Sequence, residues 1–288
     1  MIPSLPRSVP SRSALAAYVA AFFVFLFVPL AIVAVFAFND ASYPAPPWRG
    51  FTLDWFVGSA GGRRVGLFAD APLMKSIVTS VVVAAWVTVL SVAVGTANAF
   101  LLERAKFRGK SVLSLLTLAP LVIPGVILGI SILAFASRIA QFADDAWGFD
   151  LDFLRPGLPL VVAGQFSYIV SIATLTIAAR LSRFDVALEE AAYNLGASRT
   201  DVLRTVTLPY LKPALIGAAA IAFLMSFENF NTTLMLVGSD PPLTIMMYGR
   251  MREGASPVLN AVSLFLMVAS ALLALALIRR PEQRIIAS

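Results

Sequence analysis

One formal charge, Glu228, lies within the long apolar runs of this 288-residue sequence. A carboxylate at the centre of a bilayer costs about 3 kcal/mol or more, so such a group faces a wet cavity or a polar partner. Its neighbours are Ser226, Asn229, Asn231, Thr232 and Thr233. On an uninterrupted helix, at about 100° per residue, Asn231, Glu228, Thr232 and Asn229 form one contiguous arc. Two readings stay open. The arc lines a translocation path and offers the Glu228 carboxylate to a passing ammonium group, or Glu228 pairs with a partner helix and holds an assembly together. Other chemistry is scarce. Cysteine and histidine are both absent, which removes disulfides, Cys/His metal sites and catalysis by either residue. No Gly-x4-Gly-Lys-Ser/Thr phosphate loop occurs, so ATP is not held by that route. An intramembrane enzyme needs paired catalytic groups, and a lone glutamate is poor equipment for one. No cofactor and no metal are expected in this chain.

The elements that must position Glu228 are six apolar runs: Ala14–Phe38, Ser76–Leu102, Val112–Ser137, Leu158–Ala179, Pro213–Gly238 and Val258–Ile278. Each is long enough to cross a bilayer, for which about 20 residues suffice. The chain is 59% hydrophobic and 13% charged, against about 25% charged in an average soluble domain. A soluble enzyme is excluded. The expected fold is an all-α membrane protein with six transmembrane helices. Pro29, Pro120 and Pro124 read as kinks, Gly125 and Gly129 as a close helix–helix contact, and Gln165 as an interhelical hydrogen-bonding residue.

Charge placement gives the orientation. Of the 22 basic residues, the larger share falls on the side holding Arg7, Arg12, the run Arg104 to Lys110, the segment Arg180 to Lys212, and Arg279, Arg280 and Arg284. The positive-inside rule puts that side, and both termini, in the cytoplasm. The net charge of +6 and pI near 10.0 are then explained by topology, with a lipid bilayer as surroundings and no nucleic-acid partner. The first run exceeds the ~7–15-residue core of a signal peptide and reads as a retained helix. The expected organisation is an N-terminal segment 1–13, a membrane domain 14–279 and a tail 280–288. The long segment Asn39–Lys75, rich in Pro, Gly and aromatic residues, reads as a structured external loop near the interface. No internal repeat is visible, which argues against a stand-alone secondary transporter of the inverted-repeat kind.

The segment 180–213 carries the most local information. Asp185 can cap a helix from Val186 to Leu195, with Leu188, Ala191, Ala192 and Leu195 on one face. Gly196 stands where a helix end wants a left-handed residue. Ser198-x-x-Asp201 is a capping-box start for a second helix, which Pro209 and Pro213 are expected to terminate. The acidic residues Asp185, Glu189 and Glu190 disfavour resting on anionic lipid and favour docking to a protein.

Glu190-Ala191-Ala192, three residues, Gly196, nine residues, then Val206-Thr207-Leu208-Pro209 resembles the EAA loop of binding-protein-dependent ABC importer permeases, whose pattern is EAA-x3-G-x9-I-x-LP. Val206 for Ile is the one departure. The resemblance implies a type I ABC importer permease (MetI-like) fold. It implies that Glu189, Glu190, Ala191, Ala192, Gly196, Leu208 and Pro209 belong to a coupling loop, with 185–209 seated on an ABC ATPase dimer that binds ATP and Mg. It further implies a second permease subunit, a secreted solute-binding protein, and residence in the bacterial inner membrane. Phe38-Asn39-Asp40, Trp48-Arg49-Gly50-Phe51-Thr52-Leu53-Asp54-Trp55, Arg104 to Lys110, Ser226 to Phe230 and Ser256 to Ala261 resemble the second permease of spermidine/putrescine systems. That implies a heterodimeric pore for a polyamine. Ser226, Glu228, Asn229, Asn231 and Thr232 are then the candidate path residues. Iron(III), aminophosphonate and opine-like importers share the machinery and remain alternative substrates.

Overall fold

A computed structural model describes residues 9–59, 61–62, 64–254 and 256–278. The expected tail 280–288, most of segment 1–13, and the basic residues Arg7, Arg279, Arg280 and Arg284 lie outside them. The described residues are helical, with no β-strand and one isolated bridge between Asn39 and Phe51. Twelve α-helices follow in order: α1 (Val9–Phe36), α2 (Asp54–Val57), α3 (Ala71–Glu103), α4 (Lys110–Val122), α5 (Gly125–Trp147), α6 (Leu158–Leu181), α7 (Ala187–Asn194), α8 (Arg199–Val202), α9 (Leu208–Phe227), α10 (Asn231–Leu236), α11 (Leu243–Gly254) and α12 (Val258–Ile278). Five of the described helical stretches are long and apolar enough to cross a membrane.

Two apolar runs are not single rods. Val112–Ser137 is interrupted at Ile123 and Pro124, both in extended backbone, leaving α4 and α5. Proline disfavours a helical residue before it and cannot donate to the helix behind it. The expected kink at Pro124 is a full break. Pro213–Gly238 is interrupted at 228–230, leaving α9 and α10. Pro29 and Pro120, by contrast, sit inside helices that continue through them.

The chain divides into two compact units, Met1–Met74 with Gly249–Ser288, and Lys75–Tyr248. In the first, α1 lies against α12, and every side chain from Ser13 to Ile32 is exposed. A helix that is apolar all round and unburied in its own chain belongs against lipid or another helix. The segment after α1 is structured, as expected. Asn39 accepts a hydrogen bond from the Arg49 amide at 2.8 Å and donates to the Pro47 carbonyl at 3.2 Å. The buried Trp55 indole donates to the Asn39 carbonyl at 2.9 Å. The Arg64 guanidinium lies 4.9 Å from the Trp55 ring and pairs with Asp40. Arg250 of α11 makes a two-pronged contact to Asp70, at 2.5 and 2.8 Å.

In the second unit α6 is the central helix, with buried residues along its whole length. Val83 and Val87 of α3, Ala136 of α5, Leu160, Val161 and Ile169 of α6, Ala222 of α9 and Leu236 of α10 form its main apolar cluster. Small residues allow the approach. A β-carbon on Gly95 of α3 would lie 3.0 Å from both the Ala173 β-carbon and the Thr174 amide nitrogen of α6.

Candidate functional site

The break at 228–230 frees backbone groups that hydrocarbon cannot satisfy, so the protein must supply partners. Asn229 and Thr244 each supply one. The Asn229 side-chain oxygen accepts from the Thr233 amide at 3.1 Å and the Thr233 hydroxyl at 2.8 Å, as a cap on the start of α10. Its side-chain nitrogen donates to the Tyr168 hydroxyl of α6 at 2.6 Å. Its carbonyl accepts from the Thr244 hydroxyl of α11 at 2.9 Å. Behind it, Gln165 of α6 donates to the Thr233 hydroxyl at 2.8 Å and accepts from the Ser226 hydroxyl. Gln165, Ser226, Thr232 and Thr233 are all buried. Gln165 thus makes interhelical bonds, as its position suggested.

The short helix α10 then drops between α5 and α6 on glycines. A β-carbon at Gly129 would come within 3.0 Å of the Met235 β-carbon and the Thr232 carbonyl oxygen. At Gly125 it would lie 3.2 Å from the Asn231 β-carbon and the Thr232 hydroxyl. The expected close packing at Gly125 and Gly129 is therefore present, and its partner is α10.

The continuous polar arc is not. It requires one helix through 226–233, and the break changes the direction of each side chain. Ser226 and Thr232 are buried, the latter donating to the Gly125 carbonyl at 3.3 Å. Asn229 is half-buried, while Glu228 and Asn231 are exposed. Glu228 and Asn231 are the accessible polar residues of a segment whose Ser226, Asn229, Thr232 and Thr233 side chains are spent on hydrogen bonds that hold it.

The loop between α6 and α9 forms largely as its sequence dictates. Asp185 accepts from the Ala187 amide at 3.0 Å and starts α7. Gly196 is left-handed, with φ +86°, and stops it. Ser198 and Asp201 form the capping box at the start of α8. Ala191 and Glu190 are exposed, Ala192 is half-buried, and Leu188 and Leu195 are open to 51% and 90%. The loop therefore presents apolar side chains left open by the described residues. Two expectations change. Pro209 and Pro213 do not end the second helix; α8 runs through a π-helical turn, Leu203–Thr207, into α9. Pro209 lies at the join, where the wide turn makes room for its ring, and Pro213 sits inside α9, which continues through it. Leu208 accordingly bonds back to the Leu203 carbonyl. Glu189 also leaves the acidic face. It is turned inward, where it accepts from the Thr207 hydroxyl at 2.7 Å and lies 3.4 Å from Arg104.

Spanning helices, a broken helix braced by side chains, and a helix–glycine–helix loop beside it define a polytopic membrane permease. The chain belongs to the family described as the binding-protein-dependent transport system inner membrane component, which matches residues 91–286. It is a permease of an ABC importer. It is 28% identical to the putrescine transport system permease protein PotI of Escherichia coli K12, over 84% of this chain and 81% of that one. It is 26% identical to the spermidine/putrescine permease protein PotC of Haemophilus influenzae, over 86% and 88%. Its fold matches a chain of a bacterial ABC transporter that imports the acidic polysaccharide alginate, with TM-score 0.70 and 17% identity over 92% of each chain. It also matches a chain of the MetNI methionine ABC transporter, with TM-score 0.54 and 17% identity over 72% of this chain and 92% of that one. These matches bear out the expected type I importer fold.

Proposed function

We propose that this chain is one half of a heterodimeric polyamine pore in the bacterial inner membrane, with both termini cytoplasmic. The observation that carries the proposal is the likeness to putrescine and spermidine permeases over more than four-fifths of the chain. The site supports it: the one charge of the apolar runs, Glu228, is exposed at a helix break. A carboxylate there attracts an ammonium group and repels an anion. Glu228 and Asn231 meet the solute, while Ser226, Asn229 and Thr232 hold the segment that presents them.

The 185–209 loop docks an ABC ATPase dimer through Glu190, Ala191, Ala192 and Leu195. Gly196 sets the turn, and Leu208 and Pro209 root the loop on α9. ATP and Mg are held by that ATPase, and this chain contributes no catalytic group of its own. A solute-binding protein delivers the solute on the opposite face. The test is reconstitution of the permease pair, ATPase and binding protein in proteoliposomes with radiolabelled putrescine. ATP-dependent uptake that unlabelled spermidine competes away is expected. ATP-dependent uptake of sulfate or iron(III) in place of putrescine would overturn the substrate assignment.

A further inference from the structure

We propose that Arg104, Glu189 and Thr207 form a bracket that carries displacement of α7 into α3 and α9. This rests on reading the loop as the ATPase-docking element. One carboxylate oxygen of Glu189 serves both partners, 2.7 Å from the Thr207 hydroxyl and 3.4 Å from the Arg104 guanidinium. The ion pair is sheltered, with side chains 25% and 18% exposed, so solvent and salt screen it less than an open surface pair. Its ends are placed for transmission. Arg104 immediately follows α3, and Thr207 is the last residue of the π-helical turn before α9.

The bracket stands on a packed floor. The Arg104 guanidinium lies 5.1 Å from the Phe184 ring, which is buried and meets Tyr210 of α9 edge-on at 4.9 Å. Neighbouring Glu190 points outward and is free for a docking partner. Adjacent glutamates therefore divide the work, one facing out and the other inward. A push on α7 reaches α9 directly through the Glu189–Thr207 contact. The backbone alone would route it through the Gly196 turn. Glu189 is a positioning residue; it touches neither solute nor ATP.

The test uses the full complex in proteoliposomes and reads the fold-stimulation of ATP hydrolysis by loaded binding protein. Glu189→Ala and the near-isosteric Thr207→Val are each expected to cut that stimulation about fivefold, the lower end of ordinary coupling between sites. The ATPase should still co-purify. Glu189→Arg alone should do the same, and Glu189→Arg with Arg104→Glu should recover at least half of the loss. Wild-type stimulation in Thr207→Val and Glu189→Ala would overturn the bracket. So would loss of the ATPase from the Glu189→Ala complex, which would make Glu189 a docking contact. Failure of the loop reading looks different: Leu195→Asp would then leave ATPase binding and stimulation intact.

Discussion

Asn229 and Tyr168 lie 61 residues apart and are joined by a hydrogen bond of 2.6 Å from the asparagine amide to the phenol oxygen. The bond ties the break after α9 to the central helix α6. With the cap on Thr233 and the bond from Thr244, it leaves Asn229 no freedom to turn outward. The adjacent carboxylate is displayed by a rigid mount rather than a loose loop.

That mount makes Glu228→Gln a clean variant, because the exposed carboxylate is not one of the groups whose hydrogen bonds brace the break. A cation near a carboxylate in a wet cavity gains about 1–4 kcal/mol. Putrescine uptake should fall about tenfold or more, since about 1.4 kcal/mol is one decade, while complex yield and ATP hydrolysis persist. Uptake at the wild-type rate in a well-assembled complex would show that Glu228 does not meet the solute.

Gly196 separates backbone strain from steric clash. Its φ is +86° and a β-carbon there meets nothing within 4 Å. Gly196→Leu therefore costs about 1–2 kcal/mol through the left-handed conformation alone. It should uncouple ATP hydrolysis from uptake without removing the protein from the membrane. Gly196→Asn should keep most uptake, because asparagine tolerates that conformation. Equal loss in both variants would count against the turn.

Gly129→Val should separate α10 from α5. The new side chain meets a backbone oxygen and a β-carbon at 3.0 Å, neither of which can swing aside. Overpacking of this kind costs about 1–3 kcal/mol. The thermal unfolding midpoint of the purified complex should drop, and uptake with it. Gly217→Val, where nothing lies within 4 Å, serves as the control and should change neither.

Asp70 gives a pH signature. Hydrogen bonds from Arg250 hold its carboxyl below the ordinary 3.8, against a smaller opposing push from burial. A carboxyl with a depressed folded-state pKa stabilises above its unfolded value and loses that contribution as pH falls through the folded one. Asp70→Asn should therefore cost about 1–3 kcal/mol near neutral pH, as for hydrogen bonds to a charged group. The gap between the thermal unfolding curves of wild type and variant should close as pH falls well below 3.8. A gap independent of pH would mean that the Asp70–Arg250 charge pair contributes nothing.

Features set by near neighbours in the chain were legible beforehand. The Gly196 turn and the Ser198–Asp201 box each rest on residues within about a turn of one another; the Gly125/Gly129 spacing marked a contact face, but not its partner α10, which lies far along the chain. The break at 228–230 was hidden because hydropathy alone sees one apolar run from Pro213 to Gly238. What makes the break affordable is Tyr168, Gln165 and Thr244, which arrive from other helices. The cluster of Ser226, Asn229, Thr232 and Thr233 was the available signal, and it marked hydrogen bonds within the bundle as much as a wet face. Pro209 misled for a related reason. Proline speaks clearly against a regular helix but says little about a widened one, and Thr207, whose hydroxyl meets Glu189, sits in that widened turn.

The widened turn at Leu203–Thr207 also sets a phase. A π-helical turn holds one residue more than the α-helix around it, so everything before it stands about 100° from where an uninterrupted α-helix of the same sequence would put it. The two faces of the rod, one belonging to the docking loop and one to the bundle, are thus indexed to each other by a single extra residue. Deleting one residue of that turn would return the rod to a regular α-helix with both faces still aligned, but would press the Pro209 ring against the carbonyl one turn before it; the same sequence wound as an uninterrupted α-helix would aim the Ser198–Asp201 end about 100° away.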